Sequence, residues 1–120
     1  MMITISRQTL YIHHMENDKA NILSLIKSAI HRKNPEAEVI LFGSRARGQE
    51  HKHSDWDILV LLDMPTVDRK TEKEYREALF DVELETGEAI STFVFSRQDW
   101  ESRHAITPLF ENIQKEGVRL

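Results

Sequence analysis

The chain has 120 residues, 40% hydrophobic and 30% charged, which suits one soluble domain with a real core and excludes a disordered segment. It contains no cysteine, which rules out a disulfide framework and any thiolate metal site, and no apolar run reaches transmembrane length. A net charge of −4 argues against a broad basic surface for nucleic acid, and the first residues lack the basic start and apolar core of a signal peptide, so a cytoplasmic location is expected.

Residues 1–16 read as an appendage to a domain spanning 17–120. Ile3, Ile5, Leu10 and Ile12 fit a short strand or an arm reaching a partner or a second copy, and Met15 is an alternative start. From Asn17 a helix is predicted, with Ile22, Leu25, Ile26, Ala29 and Ile30 at i, i+3, i+4, i+7 and i+8 forming one apolar stripe. Asn34-Pro35 ends it, because proline disfavours a helical residue before it. Glu38 to Phe42 and Trp56 to Leu62 are apolar on both faces and read as buried, central strands. Between them, Gly43 to Gly48 makes a turn and short helix, and Gln49 to Ser54 a polar loop.

Residues 68–73 read as solvated, before a helix to about Glu85 with Thr71 and Glu74 at capping-box spacing. Tyr75, Ala78, Leu79 and Val82 form its buried stripe, and Gly87 suits the left-handed position past its end. Ala89 to Phe95 is rich in β-branched and aromatic residues and reads as a third strand. Ser96 then caps a short helix through Asp99 and Trp100. Thr107-Pro108 opens a last helix, with Leu109, Phe110 and Ile113 inward, Gly117 as its stop and Val118 to Leu120 as an edge strand. The expected fold is α/β (α+β): a small mixed sheet centred on the first two strands with helices packed against it.

The chemistry concentrates between Val39 and Leu62. Asp55 and Asp57 are spaced i, i+2 on a strand, so their side chains share a face. Two adjacent carboxylates repel unless a cation lies between them, and oxygen ligands suit Mg²⁺ (or Mn²⁺), which shares its shell with water and substrate phosphates. Gly43 and Ser44 at a strand-to-helix turn, with the guanidiniums of Arg45 and Arg47, offer donors to an anion. Side chains at i and i+2 of a helix point different ways, so the two arginines cannot serve one ligand equally. Trp56 alternates to the opposite face, as a core residue. The six histidines show no ligand spacing: His13 and His14 are adjacent, and His51 and His53 lie in the polar loop.

Gly43-Ser44-Arg45-Ala46-Arg47-Gly48 followed by Ser54-Asp55-Trp56-Asp57 resembles the G-S-x-A-R-G … S-D-x-D signature of the minimal nucleotidyltransferases of the DNA polymerase β-like superfamily. Arg47 matches the family's arginine, and Arg45 stands at its variable position. The resemblance implies a nucleoside triphosphate with Mg²⁺ held by Asp55 and Asp57, its phosphates at Gly43, Ser44, Arg45 and Arg47. It also implies attack of an acceptor hydroxyl on the α-phosphorus, with Asp55 and Asp57 as catalytic carboxylates and pyrophosphate leaving. Such domains often sit beside a small helical partner as antitoxin or regulator, and transfer AMP to it.

The third strand departs from that pattern. Active members place a third carboxylate there as base and metal ligand. Counting back from Ser96-Arg97-Gln98-Asp99, the position falls on Ser91, whose hydroxyl is neither a competent base at neutral pH nor a strong Mg²⁺ ligand. Glu88 lies three residues earlier, on the opposite face by alternation. A non-catalytic nucleotide-binding or partner subunit is therefore the rival expectation. A glycosyltransferase D-x-D is disfavoured, because 120 residues leave no room for a sugar-nucleotide domain with its acceptor site.

Overall fold

The computed structural model describes residues 17–120, so the expected N-terminal arm falls outside the described residues. In chain order the elements are α1 (Asn17–Lys33), β1 (Glu38–Phe42), α2 (Ser44–Arg47), β2 (Trp56–Leu62), α3 (Arg69–Thr86), β3 (Ile90–Ser96), α4 (Arg97–Ser102), α5 (Pro108–Glu116) and β4 (Val118–Arg119). The strands form one mixed sheet in the order β3-β2-β1-β4. β1 runs antiparallel to β2 and β4, whereas β2 and β3 are parallel, which requires the crossover that α3 supplies. The expected mixed sheet centred on β1 and β2 is the one observed.

Strand alternation divides the apolar residues between two layers. Val39 and Leu41 of β1, Trp56, Ile58, Val60 and Leu62 of β2, and Val94 of β3 pack with the buried stripes of α1 and α3. Phe42, Leu59 and Leu61 face the other way, onto Trp100 of α4 and Ile113 of α5. Ile58, Leu59 and Val60 are all 0% exposed, so β2 is buried on both faces, and each such side chain contributes about 1.5–3 kcal/mol by burial. The second layer is aromatic: Phe95 stacks on Trp100 at 5.6 Å, and Trp100 meets Phe110 at 5.1 Å. No helix among the described residues is long and apolar enough to cross a membrane.

Local chemistry sets the helix ends. Helix α3 starts earlier than its apolar pattern indicates, because the Asp68 carboxylate, rather than Thr71, caps it by accepting from the Thr71 N–H at 2.8 Å. Those hydrogen bonds hold the Asp68 pKa below its ordinary value. Ser96 accepts from the Asp99 N–H and Thr107 from the Phe110 N–H, as their sequence positions imply. In α1 the buried stripe includes Leu23, while Leu25 is only half-buried, because the helix packs under both the sheet and α3. β3 lies one residue later than expected, ending at the Ser96 cap.

The last turn of α5 is wedged against β1. Gly117 has φ −66°, open to any residue, but an added Cβ would lie 2.6 Å from the Ile113 carbonyl oxygen and 2.9 Å from Ile40 Cγ2. A backbone oxygen cannot swing aside. Gly117→Ala should therefore destabilise the protein by about 1–3 kcal/mol, seen as a lower urea midpoint with an unchanged slope. An unchanged midpoint would show that this corner is loose.

Candidate functional site

β1 delivers the chain to Gly43, whose φ of 78° and ψ of −160° are open essentially to glycine alone. The site around it is as tight as its backbone is unusual. A Cβ on Gly43 would stand 2.1 Å from Asp57 Oδ2, so the carboxylate occupies the space that a side chain would take. The Gly43 carbonyl accepts from the N–H groups of Ala46 and Arg47, turning the chain into α2. Gly43 rather than Ser44 takes the N-cap position, with no side-chain cap bond, and Ser44 is the first helical residue.

Asp57 pairs with Phe42 of β1 and with Ser91 of β3 in the sheet register. Ser91 therefore shares the face of Asp57, and its hydroxyl donates to Asp55 Oδ2 at 3.0 Å. The position obtained by counting back along the third strand is thus beside both aspartates. Glu88 is not: it accepts from Trp56 Nε1 at 3.0 Å and lies 3.6 Å from the Arg45 guanidinium. Both partners lie on the opposite face of β2, where Trp56 is wholly buried.

The two arginines separate as their i, i+2 spacing requires. Arg45 is 5% exposed, its guanidinium 4.2 Å from the Trp56 ring centroid, with Nε donating to the Ser54 carbonyl. Arg45 thus braces the polar loop from the core side, turned away from Ser44 and the aspartates. Arg47 stays exposed on the aspartate side, donating from Nε to Gln49 and from Nη1 to Glu116 Oε2 at 2.7 Å. Glu116 and Gln49 escaped the sequence reading. Glu116 stands 69 positions along the chain, and no local pattern marks it.

Burial, and next the charge of Asp55, raise the Asp57 pKa, and Arg47 opposes them. The site thus concentrates negative charge that its own arginine compensates only in part. Among the described residues no group of three or more His, Cys, Asp or Glu converges. Two carboxylates fit an ion that completes its shell with water and phosphate oxygens, as Mg²⁺ does. The clefts of about 470 Å³ between α1 and α3 and about 600 Å³ beside α4 and α5 contain none of these residues. The cluster instead occupies an open end of the sheet, with Asp55 exposed and Asp57 half-buried.

A raised folded pKa has a definite consequence for stability. The carboxyl is more easily protonated in the folded state, so its favourable contribution is complete below its ordinary value of 3.8 and is lost as pH rises through the folded value. Without divalent metal, Asp57→Asn should accordingly raise the melting temperature at pH 7, with a gain that shrinks below about pH 4. Thermal melts across pH in a chelator check this, and a variant that melts lower at pH 7 would refute the assignment of strain to Asp57.

The nucleotidyltransferase domain family model matches residues 23–106, a stretch that includes β1, the Gly43 turn, both aspartates and β3. Two similar solved chains come from toxin–antitoxin crystal structures. One, a toxin–antitoxin with AMP-PNP, is 23% identical with a TM-score of 0.57, over 87% of this chain and 72% of that one. The other, a toxin–antitoxin MntA-HpeT mutant with two aspartates changed to glutamate, is 21% identical with a TM-score of 0.55, over the same shares. At these identities the likeness is one of fold. No curated protein matches. With the signature, the fold and the family match in agreement over most of its length, this chain belongs to the nucleotidyltransferase domain family.

Proposed function

We propose that this protein binds a Mg²⁺-bound (or Mn²⁺-bound) nucleoside triphosphate at the Gly43–Asp57 corner and transfers its nucleoside monophosphate to an acceptor hydroxyl. The observation that carries the reading is the packing of the Asp57 carboxylate against the bare Cα of Gly43. It sets a metal-binding type of oxygen beside the turn that a triphosphate would approach. Asp55 and Asp57 would hold the ion, and Ser44 and Arg47 would donate to phosphate oxygens. A divalent ion held by Asp55 and Asp57 would supply positive charge against the triphosphate and the departing pyrophosphate. The similar chain with AMP-PNP supports an adenine nucleotide, and the similar mutant with two replaced aspartates supports the role of an aspartate pair.

Gly43 keeps the approach to the turn clear, because any side chain would displace Asp57. Arg47 lies close enough to Asp57 to lower its pKa, and Glu116 steadies its guanidinium. Ser91 supplies no base. With its proton shared with Asp55, it holds that carboxylate in place rather than deprotonating an acceptor.

That last contact favours a second reading, a nucleotide-binding regulatory subunit without turnover. The similar chains come from toxin–antitoxin structures, which supports a subunit that works beside a partner protein; we take that partner to be a small helical protein and the setting to be the cytoplasm. Labelled nucleoside triphosphates with Mg²⁺ or Mn²⁺ and candidate acceptors distinguish the two by pyrophosphate release. Calorimetry tests the shared premise. Asp55→Asn and Asp57→Asn should each abolish metal-dependent binding, and Ser44→Ala should cost about 1–2 kcal/mol. Unchanged affinity in both aspartate variants would sink the site.

Ser91→Asp tests the geometry without knowledge of the acceptor. A third carboxylate beside Asp55 and Asp57 should lower the melting temperature in chelator, and Mn²⁺ should restore it by binding the native state. Metal dependence identical to the parent's would remove Ser91 from the site.

A further inference from the structure

Helix α2 is one turn long, and its last residue, Arg47, is exposed on the aspartate side with two bonds of its own. Its Nε donates to Gln49 Oε1 at 3.0 Å and its Nη1 to Glu116 Oε2 at 2.7 Å. A guanidinium is a planar fork of N–H donors with no acceptor, and it grips a phosphate best through two adjacent nitrogens. Those pairs are Nε with Nη2 and Nη1 with Nη2, and each already carries one protein acceptor. The Glu116 bond is the stronger of the two, because its acceptor is charged and its length is that of a charge-assisted contact.

Nothing in α5 itself asks for a carboxylate here. Glu116 is the last residue of that helix, the end at which the dipole disfavours negative charge. The neighbouring Lys115 bonds to Glu111 instead, at 3.1 Å. Glu116 is kept within reach of Arg47 by the close seat of Gly117 on Ile40 and by the pairing of β4 with β1. Arg47 therefore answers to Glu116 by contact and to Asp57 by charge. With side chains 41% and 28% exposed, the Arg47–Glu116 pair is open to water, so an incoming anion replaces Glu116 with little desolvation cost.

We propose that Glu116 occupies part of the phosphate subsite and sets how tightly the corner holds a nucleotide. Its carboxylate oxygen stands on Arg47 where a phosphate oxygen would, and a triphosphate must displace it to gain both Nη groups. Glu116 steadies Arg47 in the free protein and competes for it in the bound one. The proposal rests on the reading of the Gly43–Asp57 corner as a nucleotide site, and it assigns the affinity of that site to a residue outside its signature. Charge and reach can be separated. Glu116→Gln keeps the chain length and an acceptor oxygen but removes the charge, whereas Glu116→Asp keeps the charge and draws it back by one methylene. Competition predicts tighter binding in both variants. A positioning role predicts unchanged binding in the first and weaker binding in the second.

Isothermal titration calorimetry of Mg²⁺-ATP into the full chain tests the proposal. Glu116→Gln should lower the dissociation constant about fivefold and Glu116→Asp about twofold, the range open to a partly exposed ion pair. Glu111→Gln removes an equal charge from an exposed position elsewhere on α5 and should change it by less than about twofold. Thermal melts separate out a structural role, because a pair that only fastens α5 lowers the melting temperature and leaves the affinity alone. Unchanged or weaker binding by folded Glu116→Gln overturns the proposal and leaves the nucleotide site standing. An equal gain in Glu111→Gln assigns the effect to net charge and overturns it too. If neither the parent nor Glu116→Gln binds Mg²⁺-ATP, the nucleotide reading itself falls, and the proposal with it. Should Glu116→Gln fail to fold, the sign of the change in Glu116→Asp decides.

Discussion

The candidate site depends on one close approach, the Asp57 carboxylate against the bare Cα of Gly43. It joins two constraints that would otherwise be separate. The backbone at Gly43 needs glycine because of its φ and ψ, and the volume beside it needs glycine because Asp57 fills it. The antiparallel register, with Phe42 opposite Asp57, brings these positions together. That register in turn rests on the apolar residues of β1 and β2, since a slip of one residue would carry Asp57 into the layer that holds Trp56 and Ile58. Fold and candidate site are thus specified by the same strand pairing.

Most of the fold was legible because its signals are local. The apolar runs of β1 and β2, the Thr107-Pro108 start and the Ser96 cap state their structure within a few residues. The start of α3 was misread because Thr71 and Glu74 imitate a capping box, while the carboxylate that performs the task, Asp68, sits three positions earlier among solvated residues. The aspartate pair was legible from alternation alone, as was the placement of Trp56 opposite it. The divergence of Arg45 and Arg47 was legible, but not the destination of either side chain. Arg45 goes inward because Trp56 offers a π face and Glu88 a carboxylate, both beyond the short motif. Arg47 goes outward to Glu116, a contact that exists only because β4 returns the chain to the edge of β1.

Ser91 shows how a position can be kept while its chemistry changes. The parallel pairing of β2 with β3 holds residue 91 level with Asp57, whatever its side chain. A carboxylate there would be a third negative charge in a cluster where burial and Asp55 already raise the Asp57 pKa. A serine adds a donor instead and bonds to Asp55. The apo protein is thereby spared repulsion, and a base is forgone. The exchange leaves two carboxylates and one hydroxyl on this face of the sheet.

The end of the chain bears on the same site. β4 pairs with β1 through Ile40 and Leu41, and Gly117 allows α5 to close down on Ile40. Glu116, one residue before that glycine, thereby reaches Arg47. The guanidinium has two acidic claims on it, from Glu116 and from Asp57, whose pKa it lowers. An anion arriving at Gly43 and Ser44 would add a third and compete with Glu116 directly. Because Glu116 is carried on α5, the seating of that helix on β1 sets where Glu116 meets Arg47. The C-terminal segment thus adds a carboxylate to the surroundings of the site through one ion pair, positioned by a glycine that a Cβ would crowd.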